Sequence, residues 1–478
     1  MSNIVEQAKK RQKEDLRNAK DDIVYTSYLE TPEYILEQVK MATTSSALTA
    51  PLETGFIKFN KNSGTQEPIE YYNYNNKVYK PIKDELTNNV WLPTGIEEYH
   101  TTDNLIDILR KLFKYNFQVP NNLEKFLPYF CLFTWVYEKF PFVPYINFVG
   151  LTATGKTTAM EVFGSTCYKA IDVSGSITIS SIFRTTTAWR GTLLIDEFDN
   201  VGEEAKQMIS FLKSGVANRA VLRVEGDKKR EVRAYIVKCP KIFTSERPIN
   251  DGGLQSRTIV ISMEKNQRIV PLYRLDDFQE ETQKIRNMLL LWRLRNLNKI
   301  DLRDIKFGFK ELQTFDSRVQ QVITPIYYLS NKETRKEIID FAKEQEEETY
   351  RERRESIDGI IFEIIFNFYQ LNQLMTLEKI TDDFNKQSSF KPWSNQKVSN
   401  VIRKILKLEL ERIGKENIRT VIYDKEAFKK LIDYFNLSPN DVVKVVEEVV
   451  NNETKQIKLD QVDQTNTKGD TWTDPPIM

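Results

Sequence analysis

Residues 148–158, Phe148-Val149-Gly150-Leu151-Thr152-Ala153-Thr154-Gly155-Lys156-Thr157-Thr158, decide the fold of this chain. They fit the pattern G-x-x-x-x-G-K-[ST], in which glycines let a loop curl so that backbone N–H groups point at phosphate oxygens. The apolar run 145–149 before it predicts a buried strand, and residues 157–163 predict the first turns of a helix. A strand, a glycine loop and a helix N-terminus together predict a phosphate-binding loop.

The loop supplies most of the predicted nucleotide contacts. Lys156 is expected to reach the β- and γ-phosphates of ATP, and Thr157 to ligate Mg²⁺. The other predicted contacts are Gly150, Thr152, Ala153, Thr154, Gly155 and Thr158. A simple glycine turn before a helix is the alternative, but the flanking strand and helix favour binding of ATP with Mg²⁺ as cofactor.

The stretch 191–199 contains a second predicted strand, which ends in two acids, Asp196 and Glu197. The C-terminal ends of strands in open α/β sheets face the ligand crevice, so these acids are expected beside the phosphates. Asp196 is predicted to hold Mg²⁺ through water and so to contribute to the nucleotide site, and Glu197 to polarise the attacking water as general base. Solvated acids at a strand end are common. The phosphate-binding loop about 40 residues upstream favours the catalytic interpretation.

Residues 220–237 predict a β-hairpin with a polar tip. Its cations are Arg219, Arg223, Lys228, Lys229, Arg230 and Arg233, and its acids are Glu225, Asp227 and Glu231. A solvated charged turn is the plainer interpretation. The excess of cations, and the position of the hairpin before the next core strand, favour a functional one.

That next strand, 241–245, ends in two hydroxyl residues, and either Thr244 or Ser245 is predicted to orient the lytic water. Arg257 precedes a further apolar strand and is predicted to be an arginine finger. A guanidinium there can neutralise charge on the transferring phosphoryl group of a neighbouring subunit, which requires an oligomer. Arg247 is the second candidate, and a structural salt bridge is the alternative for either arginine.

The order of these features resembles the AAA+ ATPases of the pre-sensor-1 hairpin group, which includes superfamily III and MCM helicases. It resembles more closely the ATPases encoded by plasmids, viruses and integrated mobile elements. The resembling stretches, within roughly residues 100–330, are 134–137, 211–215, 240–243 and 254–258. One departure is the Thr-Ser-Glu end of the strand 241–245, where Asn is usual, which leaves the water-orienting residue open.

The resemblance implies an α/β P-loop NTPase core and a ring of identical subunits, a hexamer. ATP would bind between neighbouring subunits, and the hairpins would project toward the central pore. It implies that the hairpin contacts the DNA backbone through Arg223, Lys228, Lys229 and Arg230. Such contacts are independent of base sequence and weaken with salt.

The sequence predicts six consecutive parts. They are a flexible arm (1–22), a small α+β accessory domain (23–100), an AAA+ ATPase domain with a helical lid (101–330), a charged helical linker (331–355), a winged helix-turn-helix domain (356–437) and a largely disordered tail (438–478). The winged-helix prediction is based on three predicted helices that are followed by two short predicted strands. Such domains bind either DNA or protein, and both possibilities stay open.

Composition narrows the class of protein. The formal net charge is +1, so any nucleic-acid surface must be local. His100 is the single histidine and the three cysteines are scattered, which argues against a His-ligated metal and a Ser/His or Cys/His hydrolase. The longest apolar run, 126–136, is too short to span a bilayer, and the polar start predicts no signal peptide, so a cytoplasmic location is expected.

These features predict an ATP-dependent, ring-forming DNA helicase or translocase, in the replication of a mobile element or virus. Its partner would be single-stranded or forked DNA. The alternative is an ATP-switched DNA-binding initiator or regulator that acts through the winged helix without unwinding. A protein-remodelling ATPase is a third hypothesis, and the basic hairpin tip argues against it because remodelling enzymes typically use aromatic pore loops.

Overall fold

The computed structural model of the chain divides by compactness into two units, Met1–Glu344 and Gln345–Met478. The described residues are 23–41, 53–83, 85–173, 178–198, 203–217, 220–225, 231–249, 251–271, 276–301, 303, 305, 308–387, 392–414 and 417–437. The predicted arm 1–22, the predicted tail 438–478 and the tip cations Lys228, Lys229 and Arg230 lie outside them. What the sequence predicts for those residues stays a prediction.

The N-terminal part of the first unit is built from short strands. They are β1 (Ile23–Tyr25), β2 (Tyr28–Glu30), β3 (Tyr34–Met41), β4 (Glu53–Asn60), β5 (Gln66–Ile69), β6 (Tyr72–Tyr74), β7 (Lys77–Lys80) and β8 (Val90–Trp91). β2, β3, β4 and β5 form an antiparallel sheet in that order, and β1, β7 and β6 form a second sheet.

This part differs from the predicted α+β accessory domain in two respects. Among residues 23–41, 53–83 and 85–100 there is no α-helix, only the 3₁₀ helix Glu85–Asn89, because turn residues interrupt each run before it reaches helical length. In addition, β8 pairs antiparallel with a strand of the central sheet, Val90 opposite Ile171. The N-terminal part therefore contributes to the core of the first unit.

The core of the first unit is a six-stranded sheet. Its further strands are β9 (Tyr145–Val149), β10 (Ala170–Asp172), β11 (Leu193–Ile195), β14 (Lys241–Ser245) and β15 (Thr258–Ser262), in the order β15-β9-β14-β11-β10-β8. All pairings except β8–β10 are parallel. Every residue of β9 and β14 is buried, as expected for central strands of a parallel sheet covered on both faces. The predicted α/β core is confirmed, while its AAA+ assignment stays a prediction.

The helices of the first unit follow the strands. They are α1 (Thr102–Asn116), α2 (Asn121–Glu124), α3 (Phe126–Thr134), α4 (Lys156–Gly164), α5 (Ile179–Trp189), α6 (Glu203–Ser214), α7 (Gly252–Gln255), α8 (Asp276–Asn296) and α9 (Ser317–Leu329), with 3₁₀ helices at Tyr137–Lys139, Leu297–Lys299 and Lys310–Leu312. Every residue of α3 is buried, which places this helix inside the core.

Of the helices in the described ranges, none is long and apolar enough to cross a membrane. Cys131, Cys167 and Cys239 are free thiols, and all three are buried.

A hairpin stands between β11 and β14, as predicted. It consists of β12 (Ala220–Glu225) and β13 (Glu231–Ile236), paired antiparallel with Arg223 opposite Arg233. Tyr235, near the base of the hairpin, packs edge-on against Phe183 of α5 at a ring-centroid distance of 5.7 Å. The hairpin is thereby anchored on the core at its base.

A buried ionic cluster links the N-terminal strands to the core. The side chains of Glu37 on β3, Lys169 before β10 and Arg293 on α8 are each 1% exposed, so solvent screens none of these charges. Glu37 Oε1 accepts a hydrogen bond from Arg293 Nε at 2.6 Å, and Oε2 lies 2.9 Å from Lys169 Nζ. Burial lowers the pKa of Lys169 to about 8, although Glu37 counteracts it. Burial alone would raise the pKa of Glu37, but the charges of Arg293 and Lys169 hold that pKa below its usual value.

The second unit has its own hydrophobic core. Helix α10 (Lys332–Glu355) leads into it, and α11 (Ile357–Gln370), α12 (Leu377–Gln387), α13 (Asn395–Lys404), β16 (Leu410–Ile413), β17 (Ile418–Val421) and α14 (Lys425–Phe435) follow. Its buried apolar side chains include Ile361, Phe384, Val398 and Phe428. Three helices thus precede a two-stranded antiparallel hairpin, Leu410 opposite Val421.

Candidate nucleotide-binding site

The predicted phosphate-binding loop connects β9, which ends at Val149, to α4, which begins at Lys156. Two of its residues have left-handed backbone, Ala153 with φ 66° and Gly155 with φ 85°. A Cβ atom on Gly150 would lie 2.4 Å from the carbonyl oxygen of Met263, so only glycine fits there. The conformation of the loop therefore depends on the neighbouring Met263 carbonyl as well as on the glycines of the loop itself.

Lys156 lies across this loop. Its Nζ donates hydrogen bonds to the carbonyl oxygens of Gly150 at 2.6 Å and Leu151 at 2.8 Å. The ammonium group is therefore held at the loop itself, where a bound phosphate would meet it. The phosphate contact that the sequence predicts for Lys156 stays a prediction.

The candidate catalytic acids are joined by a single hydroxyl group. Thr244 Oγ1 donates a hydrogen bond to Asp196 Oδ1 at 2.6 Å and accepts one from the backbone N–H of Glu197 at 2.9 Å. Glu197 is exposed and has left-handed backbone, with φ 50°. A non-glycine residue held in this conformation stores strain, which is typical of functional sites. Both acids therefore have their positions set by β14, the neighbouring strand of the sheet.

Asp196 also lies against the loop helix. Thr157 Oγ1 is 3.2 Å from each carboxylate oxygen of Asp196. Hydroxyl and carboxylate oxygens are the ligands that Mg²⁺ prefers, so these two side chains fit the predicted metal position. The sequence separates them by 39 residues, and the pairing of parallel strands brings them together.

The two predicted candidates for orienting water point in different directions. The Ser245 hydroxyl contacts the Asn147 side chain at 3.0 Å and donates to the carbonyl oxygen of Arg247 at 2.7 Å. Side chains alternate along a strand, so Ser245 faces away from the acids that Thr244 contacts. Thr244 is therefore the better placed of the two.

A cleft of about 980 Å³ surrounds these groups. Its lining residues are Thr152, Ala153, Thr154, Gly155, Lys156, Thr157, Thr158, Glu197, Phe198, Thr244, Ser245, Glu246, Arg247 and Pro248. Glu246 and Phe198 were not predicted as site residues, although both directly follow predicted ones in the sequence. Thr152 Oγ1 donates to Glu246 Oε1 at 3.0 Å, so this carboxylate reaches the phosphate-binding loop.

The two candidate arginine fingers lie at opposite ends of the sheet. Arg247 lines the cleft of its own chain. Arg257 directly precedes β15, whose first residue, Thr258, pairs with Tyr145 at the start of β9. The phosphate-binding loop follows the other end of β9, about 15 Å away along the strand. Arg257 donates a hydrogen bond to the carbonyl oxygen of Gly253. The strand register places its backbone at the end of the sheet opposite to the phosphate-binding loop.

Arg223, predicted to contact DNA, is half-buried at the hairpin. Its guanidinium carbon lies 4.7 Å from the centre of the Phe183 ring. One nitrogen, Nη1, is buried and makes no hydrogen bond to any described part of the chain. A DNA contact by Arg223 stays a prediction, as do those of Lys228, Lys229 and Arg230, which lie outside the described residues.

Comparison with known proteins gives matches among solved structures alone. No protein-family model matches the chain, and no curated protein matches it. A structure described as SCCmec type IV Cch, an active helicase, is 15% identical with a TM-score of 0.43, over 87% of this chain and 81% of that one. The apo NrS-1 C-terminal region (305–718) is 14% identical with a TM-score of 0.36, over 74% and 82%. The JCV helicase is 12% identical with a TM-score of 0.24, over 51% and 60%. Similarities at this level do not assign a function, which must come from the residues of the chain itself.

Proposed function

We propose that this chain is an AAA+ ATPase that couples ATP hydrolysis to movement along DNA, as a ring-forming helicase or translocase of a mobile element or virus. The observation that carries the ATPase proposal is the Thr244 hydroxyl, which joins Asp196 and Glu197 beside the phosphate-binding loop. The loop, Lys156, Thr157 and Glu197 line one cleft, and Asp196 contacts Thr157 beside it. Phosphoryl transfer to water requires this set of groups.

Each group has a distinct task in hydrolysis. The loop N–H groups and Lys156 bind the β- and γ-phosphates. Thr157 and Asp196 would hold Mg²⁺, which neutralises phosphate charge when bound. Glu197 polarises the attacking water, and Thr244 fixes the backbone of Glu197 relative to Asp196. Positioning and electrostatic stabilisation supply most of the acceleration in this class of reaction.

The proposed cleft takes its arginine finger from a second chain, and Arg247, which lines the cleft within one chain, is the alternative. Arg257 lies beyond the reach of its own phosphate-binding loop, so we assign it to the nucleotide of a neighbouring subunit. A guanidinium supplied in this way stabilises charge on the transferring phosphoryl group. The proposed assembly is a closed homo-oligomeric ring, a hexamer, in which each nucleotide lies between two subunits.

The DNA contact is assigned to the hairpin β12–β13. Its tip cations Lys228, Lys229 and Arg230 would bind backbone phosphates of single-stranded or forked DNA. The base of the hairpin packs on α5 through Tyr235 and Phe183, so a movement of the ATPase core would carry the tip with it. This contact is the part of the proposal that makes the ATPase a motor.

Alanine substitution of Lys228, Lys229 and Arg230 together tests the motor. We expect unwinding of forked DNA and stimulation of ATPase by DNA to be lost, because the phosphate contacts disappear, while basal hydrolysis remains. The matched control replaces three exposed lysines of the same unit, Lys77, Lys83 and Lys111, and removes the same charge elsewhere. Unwinding that persisted unchanged in the tip variant would show that the hairpin does not drive DNA.

Glu197→Gln separates the motor from an ATP-switched initiator. The amide cannot act as general base, so ATP binds but is not hydrolysed. A motor with this substitution stops unwinding altogether. If ATP binding without hydrolysis still gave the full activity on DNA, the switch would be the correct function and the helicase proposal would fail.

A further inference from the structure

We propose that α13 and the hairpin β16–β17 of the second unit form a site that binds duplex DNA and recognises its base sequence. In this winged-helix arrangement α13 would enter the major groove, and the hairpin would contact the adjoining backbone. The site shares no residue with the nucleotide cleft. The proposal does not depend on the motor activity.

The first observation is the outward face of α13. Val398, Val401 and Ile402 on one side are buried in the core of the second unit. Gln396, Asn400 and Lys404 are exposed and follow each other at four-residue intervals, so they form one stripe on the opposite side. This stripe contains two amides and one cation and no apolar side chain, which suits a polar groove better than a protein surface.

The second observation is the charge around the stripe. Residues 384–408 contain no aspartate or glutamate, whereas Lys397 on α13 and Lys407 just after it are exposed. A polyanion is attracted by such a surface because its cations bind phosphates, although the exposed carboxylate of Glu409 follows directly after it. The helix of ten residues is about 15 Å long, a length that fits across a major groove about 12 Å wide.

The side chains of the stripe match base edges. The amide groups of glutamine and asparagine make paired hydrogen bonds to N6 and N7 of adenine in the major groove. Gln396 and Asn400, one helical turn apart, can therefore select adenines at neighbouring positions. Lys404, at the end of the helix, is placed to bind a phosphate.

The third observation is a pair of like charges on the hairpin. Arg412 on β16 and Arg419 on β17 lie directly opposite each other, and both are exposed. Like charges in this position are destabilising unless an anion lies between or beside them. Arg412 and Arg419 lie on the same face of the hairpin as the buried residues Leu410 and Val421, and they are the next pair along that face. Glu411 lies on the opposite face. A phosphate of the DNA backbone would relieve the repulsion.

The helix and the hairpin are held together. Arg403 Nη2, near the end of α13, donates a hydrogen bond to the carbonyl oxygen of Leu410 at 3.1 Å. The amide stripe and the arginine pair thus keep a fixed separation. A rigid pair of elements can contact a groove and its adjoining backbone at once, which is what sequence-dependent binding requires.

Selection from a pool of random duplexes tests this site in the full chain. We expect the wild type to enrich a short motif containing adenines. The double variant Gln396→Ala/Asn400→Ala should lose the preference, with affinity for the motif falling on the order of tenfold or more and affinity for other duplexes unchanged. Asn400→Arg should shift one preferred base from adenine to guanine, since arginine pairs with guanine O6 and N7.

Arg412→Ala/Arg419→Ala should act differently. Affinity for all duplexes should fall together, and the slope of log affinity against log salt should decrease by about two. Lys429→Ala/Lys430→Ala on α14 removes the same charge from exposed positions and should change neither property. The proposal is overturned if the wild type enriches no motif, if the amide double variant selects the same motif, or if the α14 variant weakens binding as much as the arginine variant.

Discussion

At the scale of single residues, Thr244 has the most informative position in the cleft. One hydroxyl group donates to the carboxylate of Asp196 and accepts from the backbone of Glu197. This hydroxyl therefore fixes the carboxylate of Asp196, the proposed metal ligand, relative to the backbone of Glu197, the proposed general base. In hydrolysis a displacement of about 1 Å at such a position can lower the rate on the order of 100-fold.

Thr244→Val keeps the shape of the side chain and removes this hydroxyl. We expect ATP hydrolysis to fall roughly 10- to 100-fold while ATP binds with nearly unchanged affinity, because the loop and Lys156 are untouched. Steady-state ATPase rates and a nucleotide-binding titration measure the two effects. Thr244→Ser retains the hydroxyl and should recover most of the rate.

Ser245→Ala is the matched control, since the Ser245 hydroxyl contacts Asn147 and the carbonyl oxygen of Arg247. Its rate should stay near that of the wild type. An equal loss of hydrolysis in Ser245→Ala and Thr244→Val would mean that the hydroxyl of Thr244 has no special role.

The sequence predicted this residue pair but not the choice between its members. A strand exposes alternate side chains on opposite faces, and the face that meets Asp196 depends on how β14 pairs with β11. The glycine loop, in contrast, was fully predictable because its pattern is local. The close approach of the Met263 carbonyl to Gly150 was not predictable, because 113 residues separate the two in the sequence.

At the scale of elements, the buried cluster of Glu37, Lys169 and Arg293 fixes β3 to α8. The side chains of Glu37 and Arg293 are 256 residues apart in sequence and meet at 2.6 Å. No local pattern predicts such a contact, because Glu37 is one of three polar residues on β3, with Gln38 and Lys40, and nothing in the strand marks it as an ion-pair partner. The same reason explains why the pairing of the two-residue strand β8 with β10 was not predicted.

Glu37→Gln removes the carboxylate that Lys169 and Arg293 share, and Glu138 remains as a partner of Arg293 alone, so one buried positive charge is left uncompensated. We expect the free energy of unfolding of the first unit to fall by about 3–5 kcal/mol at neutral pH, as when one partner of a buried ion pair is removed. Urea unfolding followed by tryptophan fluorescence measures the loss. Glu67→Gln, which breaks the exposed pair with Lys58, is the control and should have an effect below about 1 kcal/mol.

The same variant gives a prediction for pH. The pKa of Glu37 is lower in the folded chain than its usual value, so the folded state gains stability from this carboxylate above about pH 4.3. That gain is lost as the pH falls through the folded-state pKa. The difference in stability between wild type and Glu37→Gln should therefore shrink below about pH 4, and a constant difference down to acid pH would contradict the ion-pair origin.

At the scale of the whole molecule, the position of Arg257 is the reason why the proposed site includes a neighbouring subunit. The phosphate-binding loop and both acids come from one end of the sheet, and Arg257 lies at the other. The sequence predicted both groups but not their separation, because the direction and register of β15 relative to β9 are set only by the folded sheet.

Mixing two inactive variants tests the shared site. Lys156→Ala and Arg257→Ala should each hydrolyse ATP only at background rate. In an equal mixture of the two, about one interface in four combines an intact loop with an intact arginine, so ATPase activity should reappear.

Lys156→Ala mixed with Glu197→Gln is the control. Both changes fall on the same side of the interface, and no site is rebuilt. Absence of recovery in the first mixture, with subunits shown to exchange, would contradict a finger supplied by a neighbour.

Cys131, Cys167 and Cys239 are all buried, so we expect none of them to react with thiol reagents while the chain is folded. The thiolate is the reactive form, and burial raises the pKa of both Cys167 and Cys239. A cysteine introduced at an exposed position would therefore be labelled selectively, without removal of the native ones. Fluorescent probes attached in this way could follow the β12–β13 hairpin through a catalytic cycle, while reaction of the native thiols would report unfolding of the core.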